Sequence, residues 1–190
     1  MAISKKVVVG LLLPFLIGCD PLYLPLQPDV PQGHLSEIKR GEPLYDWSAN
    51  VSQEGISLHI KGTVYLYVGK GNAYLVFPMT ITNTRTHPIR LIRDNLAVSI
   101  DGSPAIRDSI ELERVILAEG KVRNVLTPTR LVREIDIDAH STAFVDIRLR
   151  DERVRTVWFP QDSVILYLAA FHDIETGETI PFTIRFQKVK

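Results

Sequence analysis

From residue 54 onward the chain repeats with a period of two, and that period decides the fold class. Ile56, Leu58 and Ile60 alternate with Ser57, His59 and Lys61, and Val64, Leu66 and Val68 alternate with Thr63, Tyr65 and Tyr67. Leu75, Phe77, Met79 and Ile81 share one side of the next run, and Leu96, Val98 and Ile100 share one side of another, before the turn Asp101-Gly102. Ile135 and Ile137 alternate with Glu134, Asp136 and Asp138, Ala143, Val145, Ile147 and Leu149 follow, and Phe182, Ile184 and Phe186 alternate with Thr183, Arg185 and Gln187. Successive side chains of a strand point to opposite faces, so each run has one face to bury and one to leave wet. Many short runs of this kind, bounded by Gly, Pro, Asn and Asp, predict an all-β fold of two packed antiparallel sheets.

Three stretches qualify the pattern. Val164 to Phe171 is apolar at nearly every position, which predicts a central strand covered on both faces. Pro78 interrupts a good strand and predicts an edge position or a bulge. Ser109 to Gly120 supports two readings, a short helix capped by Ser109 or a strand begun by Ile110 and Leu112.

The first 18 residues follow different rules. Lys5 and Lys6 precede Val7 to Gly18, an uncharged, mostly apolar segment too short for the roughly 20 residues of a spanning helix. A short apolar core behind a basic start, ending in small residues, marks a secretory signal. Leu16-Ile17-Gly18-Cys19 contains the only cysteine of the 190 residues. These four residues resemble the lipobox of bacterial lipoproteins. The resemblance implies cleavage before Cys19, lipid on its thiol (palmitate among the acyl chains) and an anchor in the membrane without a span. Two or three chains suffice for stable anchoring, each buried CH₂ contributing about 0.8 kcal/mol. In such lipoproteins the residue after the lipidated cysteine influences sorting. Asp20 at that position implies retention at the inner membrane, facing outward from the cytoplasm, in preference to the outer membrane.

The expected organisation is a signal peptide over 1–18, a lipidated, proline-rich tether over 19–36 and a β-sandwich over 37–190. Pro21, Pro25, Pro28 and Pro31 exclude a helix or a central strand from the second segment. An extended tether of that length would reach about 40 Å. Leu22, Tyr23, Leu24 and Leu26 would then dock on the domain, the bilayer or a partner. Without Lys5 and Lys6 the chain has 20 basic and 22 acidic residues. No basic excess points to nucleic acid. One cysteine leaves no disulfide framework, so the core alone must stabilise the domain.

Two phrases resemble bacterial immunoglobulin-like sandwich domains. One runs from Phe77 through Thr82-Asn83-Thr84 to Pro88-Ile89-Arg90-Leu91, and the other from Ile135 through Ala139-His140 to Ile147. The resemblance implies an architecture and no functional residues. The cysteine pair and tryptophan of antibody domains are missing from the expected places.

Candidate chemistry is sparse. Asp136, Asp138 and His140 would share a face if the strand continued, and His172-Asp173-Ile174-Glu175 has the residue types of a cation site. Strand alternation and loop polarity account for both without a metal, and no metal ligand or cofactor is assigned. No nucleophile elbow or phosphate-binding glycine loop is present, so no catalytic residue is assigned either. Arg148, Arg150, Arg153 and Arg155 precede Trp158 and Phe159, and arginine beside aromatic residues is typical of a binding surface. Arg85, His87, Arg90 and Arg93 form a second cationic stretch. The expectation is a membrane-anchored envelope lipoprotein that binds or assembles with an envelope protein. The reading from another class is an envelope hydrolase or metal-handling protein with a site on its loops.

Overall fold

The computed structural model describes residues 22–23, 26–29, 35–37, 47–61, 64–68, 72–116, 129–154 and 163–188. They form two antiparallel sheets. In the first, β12 (Thr129–Val132) lies beside β11 (Ile110–Val115), then β14 (Thr142–Leu149), β7 (Asn72–Asn83), β5 (Ile56–Lys61), β4 (Trp47–Gln53) and β3 (Leu35–Glu37). β6 (Val64–Val68) pairs with the start of β7, and β1 (Leu22–Tyr23) pairs with β6. In the second, β10 (Ser103–Pro104) lies beside β9 (Leu96–Ile100), then β15 (Ser163–Asp173), β16 (Thr179–Lys188) and β2 (Leu26–Asp29). β8 (Ile89–Ile92) takes the end of β15 beyond β9, and β13 (Glu134–Ile137) pairs with β8.

The alternating residues build the core between the sheets. Leu75, Phe77, Met79 and Ile81 of β7 and Val145, Ile147 and Leu149 of β14 are buried, as are Val164, Leu166 and Leu168 of β15 and Ile180, Phe182, Ile184 and Phe186 of β16. These side chains belong to one continuous cluster. The rings of Phe77 and Phe186 meet across the gap with centroids 5.1 Å apart, a tilted contact that joins the two sheets directly.

The structure resolves the three qualified stretches. Val164–Phe171 lies in a central strand, flanked by β16 on one side and by β9 and β8 on the other. Its second face is not closed, however, because Ile165 is half-buried and Tyr167 is exposed. β15 passes from β9 to β8 where the turn Arg93–Asn95 separates those two strands, and its register with β16 shifts at the same level, between Leu168 and Phe171. Pro78 sits in the interior of β7, opposite Asp146 of β14. On the other side the register steps by one residue between the Ile60–Met79 and Val64–Val76 pairs, so the missing N–H falls where the ladder is already interrupted. Of the stretch Ser109 to Gly120, Ile110–Val115 is a strand entered through a 3₁₀ turn at Arg107–Ser109, with Ile110 and Leu112 facing the core, and residues 117–120 lie outside the described residues.

The proline-rich segment differs most from its reading as a tether. β1, β2 and most of β3 fall within residues 19–36, so the sheets begin before residue 37. β2 runs along β16 from Leu26 opposite Lys188 to Asp29 opposite Arg185. Pro28 is compatible because, among the described residues, β2 is the edge of its sheet and has a neighbour on one side alone. Leu26, 2% exposed, joins the core. Leu26→Ala should therefore lower unfolding stability by about 2–5 kcal/mol, the usual cost of truncating a buried leucine. Equilibrium urea denaturation checks this, and an unchanged midpoint would place β2 outside the cooperative fold.

Candidate functional site

The densest polar arrangement lies at one end of the sandwich, where β4 turns into β5, β7 into β8, β13 into β14 and β15 into β16. Asn83, the last residue of β7, is fully buried. Its side-chain amide donates to the carbonyls of His87 (2.9 Å), Ile137 (3.2 Å) and Asp138 (3.1 Å). Its side-chain oxygen accepts the Arg85 N–H at 3.0 Å, and its own N–H donates to the Ser141 carbonyl. One side chain thus joins the two phrases that resemble immunoglobulin-like domains, at two of the places where the chain crosses between sheets, β7 to β8 and β13 to β14.

Arg85 extends the connection to two hairpins. Its Nε and Nη2 donate to Asp173 Oδ2 at 3.2 and 3.0 Å, Nη2 also to Glu178 Oε2 at 2.8 Å, and Nη1 to the Glu54 carbonyl at 2.9 Å. Burial works against the guanidinium charge, but hydrogen bonds to Glu178 and Asp173 outweigh it and raise the Arg85 pKa further. Gly55 adopts φ +78°, and a Cβ there would lie 2.8 Å from Arg85 Cγ, so both its backbone and its neighbour favour glycine.

Asp173 is the anchor of the second hairpin. Its side chain is shut off from solvent, although it sits at the end of the sandwich and not among the core residues. Oδ1 accepts the N–H groups of Glu175 (3.0 Å) and Thr176 (2.8 Å), which shapes the loop. His87 places Nδ1 3.4 Å from Asp173 Oδ2 and Nε2 3.4 Å from Glu175 Oε2. The backbone bond from Thr176 is the largest influence holding the Asp173 pKa down at about 2, against the opposing effect of burial.

Of the other candidates, Asp136 and His172 have side-chain partners within the fold. Asp136 accepts two bonds from Arg90, at 2.6 and 2.9 Å, which lowers its pKa. His140 occupies a turn with φ 55°, and the Asp138 carbonyl accepts from Asn83 and Ser141. His172 Nε2 lies 2.9 Å from Asn95, and Nδ1 3.1 Å from Thr179. Among the described residues no three His, Cys, Asp or Glu side chains are grouped to hold a metal ion.

The arginine cluster read as a binding surface is divided. Arg148 lies on the outer face of the first sheet, with Nη2 2.7 Å from Oε2 of buried Glu113. The alignment is poor for hydrogen bonding, and that oxygen and Arg148 Nε lack a hydrogen-bond partner among the described residues. Neighbouring Glu111 has its pKa raised, first by burial and then by the Glu113 charge. Arg153 serves another part of the molecule. It binds Asp151 through Nε and Nη2, each at 2.8 Å, and reaches the carbonyls of Ser103 and Pro104. Arg150 is exposed. Cys19, Asp20, Arg155, Trp158 and Phe159 lie outside the described residues.

Sequence reasoning grouped Arg85 and His87 with a cationic loop and did not find Asn83 or Asp173 as joints. The available signal was a polar residue closing each of two strong apolar strands, immediately before a turn.

No protein-family model matches this chain, and no curated protein sequence matches it. A solved structure similar to it is that of a FixG-related protein from Vibrio parahaemolyticus, at 9% identity and a TM-score of 0.36, covering 73% of this chain and all of the other. The strand pairing itself shows two antiparallel sheets and no α-helix among the described residues.

The pH dependence of that joint has a definite sign. The Asp173 pKa falls from 3.8 to about 2 on folding, so its charge favours the folded state above pH 4. That contribution should be lost as pH drops from about 4 to about 2. Asp173→Asn should be less stable at pH 7 and should lose less of its urea midpoint over that acid interval than the wild type. Parallel acid profiles of the two proteins would contradict the assignment.

Proposed function

We propose that this chain is a lipid-anchored lipoprotein of a bacterial cell envelope, with an immunoglobulin-like β-sandwich that binds or assembles with another envelope protein. Cys19 carries the lipid, and Asp20 retains the protein at the inner membrane on its extracytoplasmic side. The observation that supports binding is Ile174. It is 43% exposed, next to the anchored carboxylate of Asp173, and its N–H is held by the Pro88 carbonyl at 3.0 Å. An exposed apolar side chain on a loop fixed by two neighbouring bonds loses little freedom on binding. Half-exposed Glu178 and the His87–Glu175 pair give that tip a polar rim, the usual surround of an apolar anchor.

Anchoring and binding are separable by experiment. Cys19→Ser should abolish fatty-acid labelling and release the protein from membranes. Ile174→Asp should leave both unchanged while removing the protein that co-purifies with the wild type after cross-linking in intact cells. Full membrane retention of the Cys19 variant would refute the anchor, and an unaltered cross-linked product from the Ile174 variant would refute the binding tip.

A further inference from the structure

The register of the sheets gives the sandwich two distinct ends. In the second sheet one lateral row runs Ser103, Ile100, Val164, Phe186, Pro28, and the Lys188–Leu26 pair lies two residues beyond it. In the first sheet a row runs Leu22, Tyr65, Leu75, Leu149, Ile110. The Phe77–Phe186 contact places both rows at the same end. The opposite end holds the rows Gln53, Ile56, Asn83 and Thr179, His172, Arg90, Asp136, together with the Arg85–Asp173 joint.

The chain enters at the first end. Cys19 precedes the paired residue Leu22 by three positions and buried Leu26 by seven. At no more than about 3.6 Å per residue, these spans reach about 10 and 25 Å. The Gln187 side chain donates to Asp29 at 2.9 Å, which adds to the ladder that keeps β2 on β16. From Lys188 to Thr179 the strand rises at about 3.3 Å per residue, so the two ends are about 30 Å apart.

We infer that the sandwich has no free tether: it stands with its β1–β2 entry end against the phospholipid headgroups and holds the Arg85–Asp173 end about 30 Å further out. This rests on the proposed lipidation of Cys19. Among the described residues the surface turned to the bilayer includes the Val68–Asn72 end of the β6–β7 pair and the exposed hairpin Asp101–Pro104, which Arg153 locks to the turn at Glu152–Val154. Its charges are mixed, with Asp101 and Glu152 near Arg150 and Arg153, so chain length and not electrostatic adhesion fixes the orientation.

The test uses the full lipidated protein in vesicles of phosphatidylethanolamine and phosphatidylglycerol containing a headgroup-nitroxide lipid. A fluorophore is placed on Ser103→Cys or on Gln53→Cys, since the lipidated Cys19 thiol is blocked. The Ser103 label should be quenched several-fold more than the Gln53 label, and high salt should not remove the difference. Inserting 20 Gly/Ser residues between Asp20 and Pro21 adds a coil of about 25 Å and should abolish it. Equal quenching at the two positions without the insertion would overturn the orientation. Flotation with the vesicles separates the two readings. A floating protein with equal quenching refutes the orientation alone, whereas a wild type that does not float refutes the anchor and the orientation together.

Discussion

The fold depends on a single buried amide. Asn83 stands where β7 leaves the first sheet, and its donors serve carbonyls on the crossing to β8 and on the crossing from β13 back to β14. A hydrophobic core has no direction and tolerates sliding of one sheet over another, whereas hydrogen bonds to three carbonyls fix the relative height of the turns. Those carbonyls lie at the end of the ladders, where regular pairing no longer supplies partners. Without Asn83 the His87 and Ile137 carbonyls would lose this donor and bear a desolvation cost, while the Asp138 carbonyl keeps its bonds from Ser141.

Around that amide the charges act in order. Arg85 is aimed by the bond from its own N–H to Asn83, and its guanidinium then gathers Asp173, Glu178 and the Glu54 carbonyl. Asp173 in turn shapes the loop that displays Ile174. An exposed apolar tip is thereby supported by a chain of contacts that begins inside the core. At the other end Arg153 does similar work by joining the Asp101–Pro104 hairpin to the turn after β14. The two ends of the molecule are thus rigid for comparable reasons and face different surroundings in the proposed orientation.

Period-two alternation made the strands of the body readable, because burial of one face imposes the pattern on every sequence that satisfies it. Leu75 to Ile81 and Phe182 to Phe186 are examples in which the expected faces are the buried ones. The roles of charged residues were hidden for an equally physical reason. Arg148 and Arg153 are five positions apart in sequence, yet one pairs with Glu113 across a ladder and the other with a hairpin of the opposite sheet. Long-range partners are not encoded in local spacing. β2 escaped notice because four prolines suggest an extended, unpaired chain, while an edge strand needs donors on one side alone. The site was legible in part: the two phrases around Asn83 and the acidic hairpin at Asp173 were singled out, but their connection requires the tertiary fold.

The Asn83 amide ties the β7–β8 crossing to the β13–β14 crossing, and urea denaturation of Asn83→Ala measures what that tie contributes. Loss of its donors takes a partner from the His87 and Ile137 carbonyls, leaves the Asp138 carbonyl to Ser141, and frees Arg85 from its aiming bond. Unfolding free energy should fall by about 2–4 kcal/mol, well above the roughly 1 kcal/mol of one ordinary hydrogen bond. A loss below about 1 kcal/mol, with the acid profile of the Arg85–Asp173 joint unchanged, would contradict it.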